Sequence, residues 1–314
     1  MTRTEPPPAA PGAPDGAPPL GAPGGTPGGT PGASSPPLTW AECILFLSVA
    51  SLALWVGVWG AFYPRHVDWA LPWLVPALHA RFLGAMYLSG FVFMSGAALS
   101  RSWYQVRVVV PMCAVWTGLL LIVSLLYLPE FDWRKPQVPV WFGAYTLFPA
   151  GCLLVAWLRR RDRSAGPGGP VPGPLRLYLR VQGAVVLSLG LALLFFPAAV
   201  ATVWPWAVTP LLAQLYSAPF SSYGLGALLA AREPTLSGVR LYLLGTLAFG
   251  AGVLLASAQH LALFSSAHAS DWLWFGAFGA ATVALGVGAY LALRPPPRGA
   301  PGGAPASLQQ VQGH

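Results

Sequence analysis

The chain is predicted to be an all-α, polytopic integral membrane protein, with eight transmembrane helices arranged as two parallel four-helix repeats. Three observations predict this. Only 8% of its 314 residues are Asp, Glu, Lys or Arg, while 55% are apolar and mean hydropathy is +0.59; an ordinary soluble domain is about 25% charged. Uncharged runs repeatedly reach the roughly 20 residues that a helix needs to cross about 30 Å of hydrocarbon. The sequence also echoes itself at a fixed offset.

The runs appear in order. Between Glu42 and Arg65 lie 22 uncharged residues, between Arg81 and Arg101 19, between Arg107 and Glu130 22, and between Lys135 and Arg159 23. These make four spans. Arg180 to Arg232 encloses 51, too many for one helix, and FPAAVATVWPWAVTP near its middle reads as a Pro-broken turn between spans five and six. Arg240 to Asp271 and Asp271 to Arg294 supply spans seven and eight.

Residues 1–37 hold twelve prolines and eight glycines and almost nothing that packs, so they are expected to be a disordered cytoplasmic tail, as are residues 295–314. The apolar stretch that opens near Trp40 is too long for a signal-peptide core and runs into FYPRH rather than a small-residue cleavage site. A third Pro/Gly segment, residues 159–176, links a first membrane repeat (38–158) to a second (177–294).

The repeat reading rests on matched positions. Tyr63-Pro64 aligns with Phe196-Pro197, Pro72-Trp73 with Pro205-Trp206, Val106-Arg107 with Val239-Arg240 and Phe131 with Phe264. Trp141-Phe142-Gly143-Ala144 aligns with Trp274-Phe275-Gly276-Ala277, every match at offset 133. A one-residue slip brings Pro76 to Pro210 and Gly90 to Gly224. Ordered agreement over most of each half indicates duplication. Four spans per repeat, an even number, make the repeats parallel about an axis along the membrane normal. The groove between them is then the natural ligand site, although Ser222, Gly226, Gly276 and Ala280 also have the small-xxx-small spacing of a closed helical seam.

Charge sets orientation. The two tails and the loops after spans two, four and six carry thirteen arginines, against Arg65, Arg81, Arg134 and Lys135 on the opposite side. Lys and Arg accumulate on the cytoplasmic side, so both termini are expected there, in a plasma (inner) membrane. Sixteen arginines to one lysine, with abundant Ala, Gly and Pro, suggest a GC-rich bacterial genome. The formal charge of +8 does not imply nucleic acid, because these arginines are dispersed at helix ends where topology and anionic headgroups account for them. The expected partner is the bilayer, with a lipid-like small molecule as ligand.

Candidate functional residues gather on the outer side. Trp59, Trp69, Trp73, Trp133, Trp141, Trp204, Trp206, Trp272 and Trp274 fall near that boundary, as an interfacial aromatic belt does; the functional alternative is that Trp69 and Trp73, with Trp204 and Trp206, cap an outward-facing cavity. His66, His79, His260 and His268 share that layer with Asp68, Glu130, Asp132 and Asp271. Titratable groups collect there simply because hydrocarbon rejects them. No H-x-x-x-H, H-E-x-x-H or C-x-x-C-H spacing is present, and Cys43, Cys113 and Cys152 sit inside spans as small hydrophobes, so neither metal nor cofactor is expected.

The halves differ in one respect. Arg65, His66 and Asp68 align with Ala198, Ala199 and Ala201, and His79 and Arg81 with Ala213 and Leu215. A polar set needed merely for folding would be wanted twice. The expected site is therefore Arg65, His66, Asp68, Trp69, Trp73, His79 and Arg81 with Glu130, Asp132 and His260. Against this, the 19-residue run after Arg81 lets its guanidinium snorkel to the headgroups. No span carries Asp, Glu or Lys at mid-depth, which excludes the usual proton-coupled pump or ion channel, and no P-loop or G-x-S-x-G is present. The leading expectation is a non-enzymatic protein that binds or translocates a small apolar or amphipathic molecule in an outward-facing cavity between the repeats. The alternatives are a membrane enzyme using His/carboxylate acid–base chemistry on a lipid-like substrate, and a scaffold or assembly subunit.

Overall fold

The computed structural model describes residues 36–294. The expected tails, apart from residues 36 and 37, lie outside the described residues. Ten α-helices and no extended strand occur among them: α1 (Trp40–Phe62), α2 (Ala77–Ala98), the short α3 (Trp103–Val106), α4 (Val109–Leu126), α5 (Gln137–Leu158), α6 (Gly173–Phe195), the short α7 (Pro197–Ala201), α8 (Pro210–Ala230), α9 (Leu236–Ala258) and α10 (Ala269–Leu293). Single 3-10 turns cover Pro64–Trp69, Leu128–Glu130 and Leu261–Leu263.

Local chemistry sets the ends. Thr39 and Glu42 form a reciprocal capping box at the start of α1, each side chain taking a backbone N–H of the other. Thr209 accepts the Leu212 N–H and is followed by Pro210, whose missing N–H costs nothing at the first helical position. Tyr63-Pro64 closes α1 and Phe196-Pro197 closes α6, since the residue before proline is pushed out of the helical region.

Among the described residues, seven helices are long and apolar enough to cross a membrane: α1, α2, α4, α5, α6, α9 and α10. The structure thus supports a multi-pass membrane protein with seven such helices, one fewer than the sequence suggests. The eighth, α8, has 21 residues but carries Gln214, Pro219 and several serines. The reason is position. Most of α8 is buried against neighbouring helices, Ser217 and Ser222 completely, so it presents little surface to lipid and need not be apolar all round.

Helices pair as α1 with α2, α4 with α5, α6 with α8 and α9 with α10; α2 then packs on α9, and α4 on α8. Close crossings need glycine. A Cβ on Gly84 would overlap the backbone of Gly60 and Ala61, and one on Gly224 the backbone of Leu187, which brings α2 onto α1 and α8 onto α6.

Several contacts recur 133 positions apart. Trp141 Nε1 donates to Ser124 Oγ at 2.9 Å, and Trp274 Nε1 to Ser257 Oγ at 3.0 Å. Phe131 and Phe142 lie 5.0 Å apart, as do Phe264 and Phe275; Trp73 meets Trp141 at 5.2 Å, and Trp206 meets Trp274 at 4.8 Å. Isolated bridges join Pro37 to Ser102 and Pro170 to Thr235.

Candidate functional site

The ten candidate residues do not form one cluster. Arg65, His66 and Trp69 are exposed on the 3-10 turn after α1, with Asp68 half-buried beside them. This turn folds back on α1: the Trp69 ring lies tilted against Trp59 at 4.8 Å, and His66 tilted against Trp69 at 5.7 Å. The Asp68 carbonyl accepts a hydrogen bond from Gln137 Nε2 at 2.8 Å, which ties the turn to the first residue of α5. Trp73 sits edge-on to Phe131 and Trp141. Glu130 and Asp132 are exposed on the α4–α5 connection, where Asp132 accepts the Arg134 N–H.

His79, Arg81 and His260 lie where the two chain halves meet, and each has a protein partner. The buried His79 Nδ1 lies 2.7 Å from Tyr216 Oη on α8, with Trp206 edge-on at 6.3 Å. Arg81 Nη1 lies 2.6 Å from His260 Nε2. A guanidinium only donates, so His260 Nε2 accepts and the ring is neutral. Partial burial, and then the charge of Arg81, hold the His260 pKa below its ordinary value. Asp271, expected among the outer carboxylates, is buried and accepts from the Ser265 N–H and the Ser270 hydroxyl, so it organises the turn before α10. Among the described residues no imidazole pairs with a carboxylate; the salt bridges are Arg107–Glu233 and Arg159–Glu42.

Two cavities among the described residues are lined mainly by helices of the first half, and the first of them borders the second half at Ser222. One, of about 50 Å³, lies between α1, α2, α4 and α5, with Ser222 as its contribution from α8. The other, of about 230 Å³, opens between α1, the 3-10 turn and α5, lined by Trp55, Val56, Trp69, Gln137, Val140 and Trp141 among others. Of the expected residues it takes in Trp69, and Arg65 and His66 stand on the same turn. Side chains meet directly across the contact between halves: Phe82 meets Tyr216 at 4.9 Å, Ser89 hydrogen-bonds Tyr223, and Ser222 Oγ donates to the Met112 carbonyl at 2.8 Å.

Sequence reasoning passed over Gln137, Trp55 and Val140. The doubled Trp-Phe-Gly-Ala motif marked Trp141, but nothing marked its neighbours as pocket walls. It also passed over the acidic halves of the two ion pairs, Glu42 and Glu233. Each is gripped by both arms of a guanidinium, Arg159 Nε lying 2.8 Å from Glu42 Oε1 and Arg107 Nε 2.7 Å from Glu233 Oε1. No protein-family model, curated protein or solved structure matches the chain.

Proposed function

We propose that this protein binds an amphipathic, single-tailed lipid-like molecule in the pocket between α1, the Pro64–Trp69 turn and α5. The observation that carries the reading is the pocket itself. Its wall is apolar and aromatic, and Gln137 is its polar lining residue. At about 230 Å³ it falls below the roughly 300–1,000 Å³ of drug-sized sites and has room for part of one acyl tail, the rest of which would lie along the open side. Arg65 and His66, exposed on the turn that carries Trp69, stand where a polar head would emerge. The reading includes eight spans, with α8 as the sixth, in two parallel repeats. Its support is that the exchange of α1, α2, α4 and α5 with α6, α8, α9 and α10 leaves the helix pairing unchanged, and that the Trp–Ser and ring contacts recur at offset 133. Eight spans bring both termini to one side, and the arginine distribution makes that side cytoplasmic.

Oleate retention by the purified full chain, read by native mass spectrometry, tests the site. Val140→Trp, which fills the pocket from α5, is expected to abolish retention. Arg65→Gln with His66→Gln is expected to weaken oleate but leave the uncharged monoolein bound. Unchanged oleate retention in Val140→Trp defeats the reading. The direct side-chain contacts between halves favour a second reading, a packing or assembly subunit, and loss of no ligand in any of these variants would leave that one standing. Acid–base catalysis draws no support from histidines whose polar partners are a phenol and a guanidinium.

A further inference from the structure

The end of the bundle that holds the start of α1 and the ends of α5 carries eleven arginines among the described residues, against Glu42, Asp162 and Glu233. Glu42 and Glu233 are each taken by one guanidinium, and Asp162 accepts from the backbone and hydroxyl of Ser164. The remaining arginines do not stand at matching places in the two halves. Arg176, Arg180 and Arg232 stand in the second half where Cys43, Leu47 and Leu99 stand 133 positions earlier, and Arg240 faces no counterpart of Glu233, because Ser100 stands at the matching place.

Arg180 has an informative position. It lies seven residues into α6, about 10 Å along the axis. It is exposed, and so are Leu177, Val181 and Val185 around it. An arginine among lipid-facing leucine and valine lays its stem along the apolar surface and returns its guanidinium to the level of the phosphates. Arg176, one turn earlier on the same face, gives one N–H to the Glu233 carbonyl at 3.3 Å, while its buried Nε has no partner. Arg180, Arg232 and Arg240 are exposed and pair with no carboxylate among the described residues.

We propose that the second half binds an anionic phospholipid, with its phosphodiester on Arg176 and Arg180 and its acyl chains along Leu177, Val181 and Val185 of α6. Arg232 and Arg240 add to the attractive field at close range. This site is separate from the pocket proposed above, and its test does not involve that pocket.

The probes are dioleoylphosphatidylglycerol and dioleoylphosphatidylcholine, added to the full chain in a neutral detergent and counted as bound adducts by native mass spectrometry. Phosphatidylglycerol should be retained at about thirtyfold lower concentration than phosphatidylcholine, since each arginine near an anionic surface contributes about 1 kcal/mol. Arg176→Gln with Arg180→Gln should erase the preference, Arg176→Lys with Arg180→Lys should keep most of it, and Arg101→Gln with Arg160→Gln should leave it intact. Equal retention of the two lipids by the unaltered protein overturns the proposal without recourse to any variant. So does a preference that survives the glutamine pair, or one that inorganic phosphate abolishes at concentrations equal to the lipid.

Discussion

The two ends of the bundle solve the same problem by different chemistry. At the arginine-rich end, charge is in excess and the polar contacts are charge pairs. Arg159 grips Glu42 and reaches the Pro37 carbonyl, while Arg107 grips Glu233 and reaches the Ser164 carbonyl. At the opposite end, four cations face four carboxylates, yet the contacts that join distant helices are His79 to Tyr216 and Arg81 to a neutral His260. The difference follows from surplus. Where guanidinium groups abound, Glu42 and Glu233 each lie within reach of one and are held by both of its arms. Where charges balance and the remaining groups are imidazole, phenol and indole, an imidazole takes the place of the carboxylate, meeting a phenol at His79 and a guanidinium at His260, while Arg65, Glu130, Asp132 and Arg134 stay exposed.

The comparison can be broken by removing one member of each kind of contact. The largest effect is expected from Glu233→Ala, which leaves Arg107 partly buried without its counter-ion and should cost about 3–5 kcal/mol, read as lowered thermal stability in detergent. A loss no greater than that of an exposed surface pair would show that the arginine end is not held by charge. Tyr216→Phe keeps the ring but strands the buried His79 nitrogen, and a loss of about 1–3 kcal/mol is expected in the same assay.

The smallest effect is one of pH. The folded-state pKa of His260 is lowered, so the unfolded chain takes up its proton first as pH falls below the ordinary value of about 6.5. The Arg81–His260 contact is therefore present above that pH and is lost as pH falls through the lowered folded value. Thermal stability should decline across that window, and His260→Gln, which cannot be protonated, should flatten the decline. A slope unchanged in His260→Gln would assign the decline to another group.

Much of the fold was legible in the sequence because hydrocarbon enforces simple bookkeeping: charges mark where helices leave the membrane. The runs bounded by Glu42, Arg65, Arg81 and Arg101 anticipate α1 and α2, and the Pro-broken stretch after Phe195 is where α7 and the start of α8 occur. What the sequence could not convey is which helix faces which. A helix that is apolar on every side has no stripe to mark its inner face, so the pairing of α2 with α9 left no periodic trace. Ion pairs between Arg107 and Glu233, 126 positions apart, were invisible for the same reason. The asymmetry of His79 and Arg81 was legible, but its use was not: both are occupied by partners from the second half. Gln137 escaped notice because a lone glutamine at a helix start looks like any boundary residue until Asp68 is seen to meet it.

The pairing of the long helices has a further consequence. Within the first half α2 leans chiefly on α1 and α9, and α4 on α5 and α8, so each half is two hairpins held together largely by the other half's hairpins. Neither could close on itself, because Ser89, Met112, Ser222 and Tyr223 would be left facing lipid. A chain cut within residues 159–176 would therefore yield fragments that are unstable apart and that reassemble when made together, much as two interlocked hands cannot each keep the grip alone.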